Sequence, residues 1–289
     1  MPVLIPTSLA DAVTAAGATP DALLLAGGTD LMVEINERHR DLPWEHASVI
    51  ALNRVPELGS WTIDPRARTL TLGAGVRWAE IEREPLRSSV PALAEAARTV
   101  GSPQIRAAGT VGGNLATCSP AGDGLPVLVA HDATVDLIDA SGRRSLPIAD
   151  FMLGVKHTAL RPGELIESIT VPLLEGAQGY SKVGVRNAMV IATASACVAT
   201  DVPSRSVRIA LGSVAPTVIR VPEAESLVAA SADWSSRSLA AQVITSAGGL
   251  AADASRPIDD HRSSAAYRRH AVDVMVRRQL RRAFPGGET

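Results

Sequence analysis

The sequence predicts an α+β fold built from two units, and three observations carry that prediction. Short apolar strands alternate irregularly with short amphipathic helices through residues 1–171. The segment 172–179 is rich in turn-forming residues and reads as a linker. Beyond it three strands are followed by two helices, the order expected of a small α+β domain. At 289 residues the chain is long enough for two or three domains and a substantial core. The division drawn here is 1–175 and 176–289.

In the first unit, residues 8–16 form an amphipathic helix. Thr7 or Ser8 supplies its cap, and Leu9, Ala12, Val13 and Ala16 share one face. Residues 22–26 make a compact strand running into Ala26-Gly27-Gly28-Thr29-Asp30, after which Thr29 is placed to cap a helix through Leu31, Met32 and Ile35. A strand is expected at 49–52, and a hairpin at 61–64 and 69–72 around Pro65-Arg66-Ala67-Arg68. Residues 77–87 read as one helix. Ser88 or Ser89 with Pro91 starts the next, through Leu93, Ala94, Ala97 and Val100. The block 101–123 shows almost no strand or helix period. Residues 126–130 resemble a buried helix start, 134–138 and 144–148 pair across Ser141-Gly142, and 165–171 closes the unit. In the second unit strands are expected at 180–185, 190–199 and 207–214, and helices at 235–247 and 263–283.

Composition removes several classes of function. A formal charge of −2 leaves no basic face of the strength that nucleic-acid binding needs. Aromatic residues at 3% supply no stacking platform for single strands. No apolar run approaches the ~20 residues of a membrane span. Met1 leads into Pro2, Pro6 and Asp11 rather than a basic end and an apolar stretch, so the expected setting is the cytoplasm. Cys118 and Cys197 are the only cysteines and read as small buried hydrophobes; two thiols are too few to hold an iron–sulfur cluster. The histidines lack ligand spacing, so no metal site is expected. No Gly-x-Ser-x-Gly nominates a nucleophile. Gly73-Ala74-Gly75 lacks the third glycine of a dinucleotide fingerprint and reads as an ordinary turn. Arg268, Arg269, Arg277, Arg278, Arg281 and Arg282 make the last helix a solvated basic face or a contact to a partner subunit.

Two glycine-hinged turns carry the chemistry: Ala26-Gly27-Gly28-Thr29-Asp30 and Gly109-Thr110-Val111-Gly112-Gly113-Asn114. A Gly-Gly pair lets main-chain amides approach an anion that a Cβ would keep away. Successive amides in such a turn form a concave nest that suits phosphate oxygens. The first turn also leads into a helix, whose N-terminus favours an anion. No lysine or arginine sits within either glycine core, so amides and hydroxyls would do most of the gripping. Long irregular stretches in compact domains are usually functional, and 101–123 is such a stretch. Thr110 and Thr117 offer hydroxyls to phosphate, and Asn114 can bridge loop and ligand. Asp123 is an acceptor only, so its natural target is a ribose hydroxyl or an adenine amine. That division of labour fits a dinucleotide better than free phosphate.

At this block the chain resembles the FAD-binding (medium) subunit of molybdenum hydroxylases, the group of xanthine dehydrogenase and aerobic carbon monoxide dehydrogenase. The likeness rests on Ala26-Gly27-Gly28-Thr29-Asp30-Leu31, on Gln104-Ile105-Arg106 through Thr110-Val111-Gly112-Gly113-Asn114-Leu115, and on Ser119-Pro120-Ala121-Gly122-Asp123. It continues through Leu52-Asn53-Arg54-Val55-Pro56-Glu57-Leu58, Tyr180-Ser181-Lys182 with Arg186, Ala210-Leu211-Gly212-Ser213-Val214-Ala215-Pro216-Thr217 and residues 263–269. The resemblance implies a two-part FAD-binding domain of the vanillyl-alcohol oxidase (PCMH) type, its parts meeting near 55–60, followed by a small α+β C-terminal domain. It also implies the FAD-binding residues. Leu25, Ala26, Gly27, Gly28, Thr29, Asp30 and Leu31 would wrap the pyrophosphate from one side. Thr110, Gly113, Asn114, Ala116, Thr117 and Asp123 would hold the rest from the other. Ile166 matches an apolar position near the flavin, and Lys182 a basic one near the isoalloxazine. Some members place an aromatic ring beside the flavin where Val100 falls here; valine cannot stack.

What the resemblance implies for function is electron transfer without catalytic or metal-ligating residues on this chain. Electrons would reach FAD from iron–sulfur clusters on a small partner subunit, released by a molybdopterin centre on a large one. They would leave to an external acceptor. The alternative is a stand-alone flavoprotein, or a flavin-free binding module, on the same scaffold.

Overall fold

The computed structural model describes residues 2–37 and 48–287. The first unit opens with a three-stranded parallel sheet in which Val49–Ala51 lies between Val3–Leu4 and Leu23–Leu25. Its central strand is buried at every position, as a parallel strand covered on both faces should be. The helix Leu9–Ala18 starts where Ser8 accepts from the Asp11 N–H, and buries Ala12 and Ala16. A five-stranded antiparallel sheet follows, ordered Trp61–Asp64, Thr69–Gly73, Leu165–Pro172, Thr134–Asp139 and Gly142–Pro147. Both expected hairpins are present in it. The C-terminal sheet runs Gln178–Val183, Ala194–Asp201, Ser206–Gly212 and Ile219–Arg220, with helices Pro222–Ser231, Ala241–Ala254 and Ala265–Ala283.

Strand Ala194–Asp201 is buried throughout, and its period of two explains how the units join. Ala194, Ala196 and Val198 pack into the core formed with the C-terminal helices. Cys197 and Ala199 point the other way, into the core of the first unit. The sheet is thus a wall shared by two cores. Both cysteines are buried and free, as small hydrophobes.

Several elements differ from expectation. The helix over 77–87 is two, Trp78–Ile81 and Leu86–Ser89, because Pro85 lacks an N–H and disfavours helical backbone at Glu84. The aperiodic block contains two helices, Pro103–Ala108 and Val111–Thr117. The helix expected from 235 begins at Ala241, since the Asp233 carboxylate takes the Ser235 and Ser236 amides into a turn. A small hairpin, Met152–Gly154 with His157–Thr158, had no signal in the sequence pattern.

The arginine-rich last helix is not uniformly a solvated face. Arg268 is 3% exposed and donates to the carbonyls of Thr193 and Ser213, at 2.7 and 3.1 Å, and to Asp260 at 2.6 Å. Arg277 pairs with Asp273 on its own helix, and Arg282 with Glu95 of the helix Pro91–Thr99. Arg268→Ala would leave the Thr193 and Ser213 carbonyls without this donor and remove one partner of Asp260, whose carboxylate keeps the Arg262 and Ser263 amides. A loss of about 1–3 kcal/mol is expected, the cost of leaving buried acceptors without a donor. Urea denaturation measures it, and a change below 1 kcal/mol, to an order of magnitude, would show the network to be incidental.

His131 closes the helix Leu125–Ala130 and is fully buried, its Nδ1 2.9 Å from the Pro172 carbonyl oxygen. Burial holds its imidazole below the usual histidine range. The folded protein therefore keeps it neutral while the unfolded chain protonates it as pH falls through about 6.5, so stability declines on acidification. The slope contributed by this group approaches about 1.4 kcal/mol per pH unit. Denaturant titrations of wild type and His131→Gln between about pH 5 and 6.5 should show the flatter profile in the variant. Equal slopes would rule the assignment out.

Candidate functional site

The first glycine turn is built by the end of strand Leu23–Leu25 and the start of helix Leu31–Asn36. Gly28 takes φ +70°, a left-handed conformation that favours glycine. Thr29 does not cap the helix. Asp30 occupies the cap position, and its side chain caps nothing; it accepts instead from Thr117 Oγ1 at 2.9 Å. Among the described residues, the main-chain N–H groups of Gly27, Gly28, Thr29 and Asp30 have no protein acceptor.

The second turn is ordered differently. Ser102 accepts from the Ile105 amide at 3.3 Å and Thr110 from the Gly113 amide at 3.0 Å, capping the two helices. The Val111 and Gly112 amides donate to Val76 and Ala74 carbonyls at 3.0 and 2.9 Å. The expected second amide nest is therefore not formed by residues 111–113: these donors serve two of the protein's own carbonyls and the Thr110 hydroxyl. Glycine at 112 has a packing reason, because a Cβ there would lie 2.5 Å from Ala74 Cβ.

The two turns nevertheless meet. A Cβ on Gly27 would overlap the Ala108 carbonyl oxygen and lie 2.8 Å from Gly109 Cα. A Cβ on Gly109 would sit 3.4 Å from Thr29 Oγ1. With the Thr117–Asp30 hydrogen bond, these contacts place the free amides of one turn beside the helix Val111–Thr117. Leu25, Ala26, Leu31, Gly113, Asn114 and Thr117 are half-buried around the junction, Thr110 is buried and Ala116 exposed. Among the described residues Asn114 Oδ1 is buried without a protein partner, an acceptor that a bound donor would satisfy. A cradle of free amides beside an orphaned acceptor suits a nucleotide cofactor.

Asp123 and Lys182, assigned above to different ends of the cofactor, form one buried ion pair at 2.8 Å, their side chains 9% and 6% exposed. Lys182 also donates to the Thr99 carbonyl at 3.0 Å, immediately before the half-buried Val100. Tyr180 donates its hydroxyl to Asp123 at 2.8 Å. Burial pushes the Asp123 carboxyl up, opposed by Lys182, Tyr180 and Thr99. Burial, with Asp123 beside it, pushes the Tyr180 phenol well above its ordinary range. Ile166 stands apart in the first core, on strand Leu165–Pro172 where the register shifts before Ser168. Sequence reasoning did not single out Tyr180 as a partner of Asp123; its signals were its place in the Tyr180-Ser181-Lys182 stretch that carries the resemblance and its position two before Lys182 on an expected strand.

The fold and this cradle define a two-part nucleotide-binding domain with a C-terminal α+β domain. Residues 1–174 match the FAD binding domain in molybdopterin dehydrogenase, and residues 180–283 the CO dehydrogenase flavoprotein C-terminal domain. The chain is 32% identical over 286 residues to the carbon monoxide dehydrogenase medium chain of Hydrogenophaga pseudoflava, covering 96% of this chain and 95% of that one. It is 36% identical over 191 residues to the nicotinate dehydrogenase FAD-subunit of Eubacterium barkeri, covering 64% of this chain; it spans 62% of that subunit's length. The solved carbon monoxide dehydrogenase of Hydrogenophaga pseudoflava, in a form lacking the Mo-pyranopterin moiety, superposes with a TM-score of 0.87. Identity is 29%, with 100% of this chain and 98% of that one covered. The chain belongs to the FAD-binding subunits of molybdopterin-dependent dehydrogenases, an oxidoreductase family, and FAD is its cofactor.

Lys182→Met should destabilise the protein by about 3 kcal/mol or more, because it leaves a buried carboxylate short of its counter-charge. Adding Asp123→Asn should recover part of that loss, with a coupling of about 1–3 kcal/mol. Denaturation of the four-member cycle measures it. Strict additivity would mean that the pair is not a unit.

Proposed function

We propose that this chain grips FAD across its two glycine turns and carries electrons between iron–sulfur clusters on a small partner subunit and an external acceptor. The molybdopterin centre that releases those electrons belongs, in this reading, to a large third subunit. Names among the relatives support the assembly, since they are called a medium chain and an FAD-subunit. When bound, FAD supplies the redox chemistry. This chain's residues bind, orient and shield.

The observation that carries the reading is the set of free N–H groups at Gly27, Gly28, Thr29 and Asp30, set against the Ala108-Gly109 backbone. These donors suit the diphosphate, with Leu25, Ala26 and Leu31 flanking them. From the facing helix, Thr110, Gly113, Asn114, Ala116 and Thr117 complete the cradle, the Asn114 carboxamide lending its unpaired atom to a ligand donor. Asp123 keeps two lone pairs beyond those taken by Tyr180 and Lys182 and directs them at hydroxyl or amine donors. Val100, Ile166 and Lys182 are assigned to the ring end. Because Lys182 is already neutralised by Asp123, its contribution there is a local dipole rather than a free positive charge.

Gly27→Ala should push the two turns apart, since the new methyl meets main-chain atoms that cannot rotate away. The purified variant is expected to retain less than about a tenth of the wild-type flavin, a loss of roughly 1.4 kcal/mol or more. The visible flavin absorbance per protein reads it. Full flavin content in Gly27→Ala would refute the cradle. Purification of the wild type with neighbouring subunits containing molybdenum and iron–sulfur clusters tests the electron-transfer role, and a colourless solitary chain would sink it.

A further inference from the structure

Tyr180 belongs to the C-terminal sheet, on strand Gln178–Val183, yet its side chain serves the first unit. Its hydroxyl donates to Asp123 Oδ1 at 2.8 Å. Two residues on, and so on the same face of the strand, Lys182 donates to Asp123 Oδ2 at 2.8 Å. Each oxygen of one buried carboxylate is therefore held by a donor from a single strand. Such a two-point grip fixes both the plane and the rotation of the group; one donor alone would fix neither. The strand is itself anchored, because the Tyr180 N–H donates to Glu95 Oε2 at 2.7 Å and Lys182 also donates to the Thr99 carbonyl.

The loop so held continues toward the cradle. Gly122 precedes Asp123, and a Cβ there would lie 2.9 Å from Asn114 Nδ2, so the loop packs on the carboxamide whose other atom lacks a protein partner. A small rotation of Asp123 would redirect its remaining lone pairs.

We propose that Tyr180 is a positioning residue for FAD: its hydroxyl, opposite the Lys182 ammonium, sets the orientation of the Asp123 carboxylate so that the free lone pairs meet donors of the cofactor. The inference rests on the assignment of the Asp123 loop to FAD binding. Tyr180 also helps keep the carboxylate ionised. Its hydrogen bond, with the charge and hydrogen bond of Lys182, opposes the upward push of burial on Asp123. Also around this cluster are Glu95, from the helix Pro91–Thr99 and paired with Arg282 of the last helix, and Cys197, which lies opposite Tyr180 on the next strand. Burial pushes the Cys197 thiol far up, so it stays neutral.

Tyr180→Phe removes one oxygen and keeps the ring. In the holoprotein it should weaken FAD retention roughly tenfold or more, the scale of one hydrogen bond to a charged group. It should also move the acid limb of FAD release to higher pH, because Asp123 takes up a proton more readily without the phenol. Flavin release from the purified protein, followed across pH, measures both. Wild-type retention with an unmoved acid limb overturns the proposal. So does a variant that melts earlier but keeps both properties, for that is a structural role only. If Tyr180→Phe does not fold, Asp123→Asn serves: an acid limb identical to the wild type's would show that Asp123 does not control release. Loss of flavin in Gly27→Ala with no effect of Tyr180→Phe defeats the positioning role alone. Full flavin in both defeats the site itself.

Discussion

Everything around the proposed cofactor cradle depends on the direct contact of two main chains at Gly27. The strand that ends at Leu25 and the helix that ends at Ala108 can approach this closely only because no Cβ stands between them. Once they touch, the first turn's amides lie beside the helix Val111–Thr117, and the Thr117–Asp30 hydrogen bond fastens the two sides. The turns share composition but divide the work. One leaves its N–H groups free; the other commits them to Val76, Ala74 and Thr110, and so provides a rigid wall. Rigidity on one side and free donors on the other is the arrangement that binds an anion without reorganisation.

In the proposed site the C-terminal domain takes part. Its strand Ala194–Asp201 faces two cores at once, which fixes the domain against the first unit over a wide apolar surface. Its edge strand then delivers Tyr180 and Lys182 to Asp123, so the last loop of the cradle is held by residues some sixty positions away. A buried ion pair is weak support for stability by itself, because desolvation offsets much of the attraction. Its value here is orientation.

Much of this could be read from the residues. Helix Leu9–Ala18, the two hairpins of the five-stranded sheet and the three longer C-terminal strands follow from periodicity and turn residues, because their local preferences agree with their packing. The helices Pro103–Ala108 and Val111–Thr117 were obscured by glycine and proline content. Their signals were the caps, Ser102 before Pro103 and Thr110 three positions ahead of Gly113. Arg268 was grouped with its exposed neighbours because charge along a helix does not reveal which face the sheet covers.

The sequence alone determined the family, the cofactor class and the positions of the two glycine turns proposed to grip it, because paired glycines at fixed places in motifs are a local property of the chain. Tertiary structure decided which amides are free, that Asp123 and Lys182 are one pair rather than two separate contacts, and that Tyr180 joins them. Those facts depend on distances between residues far apart along the chain, and no pattern of neighbours encodes a distance that only packing sets.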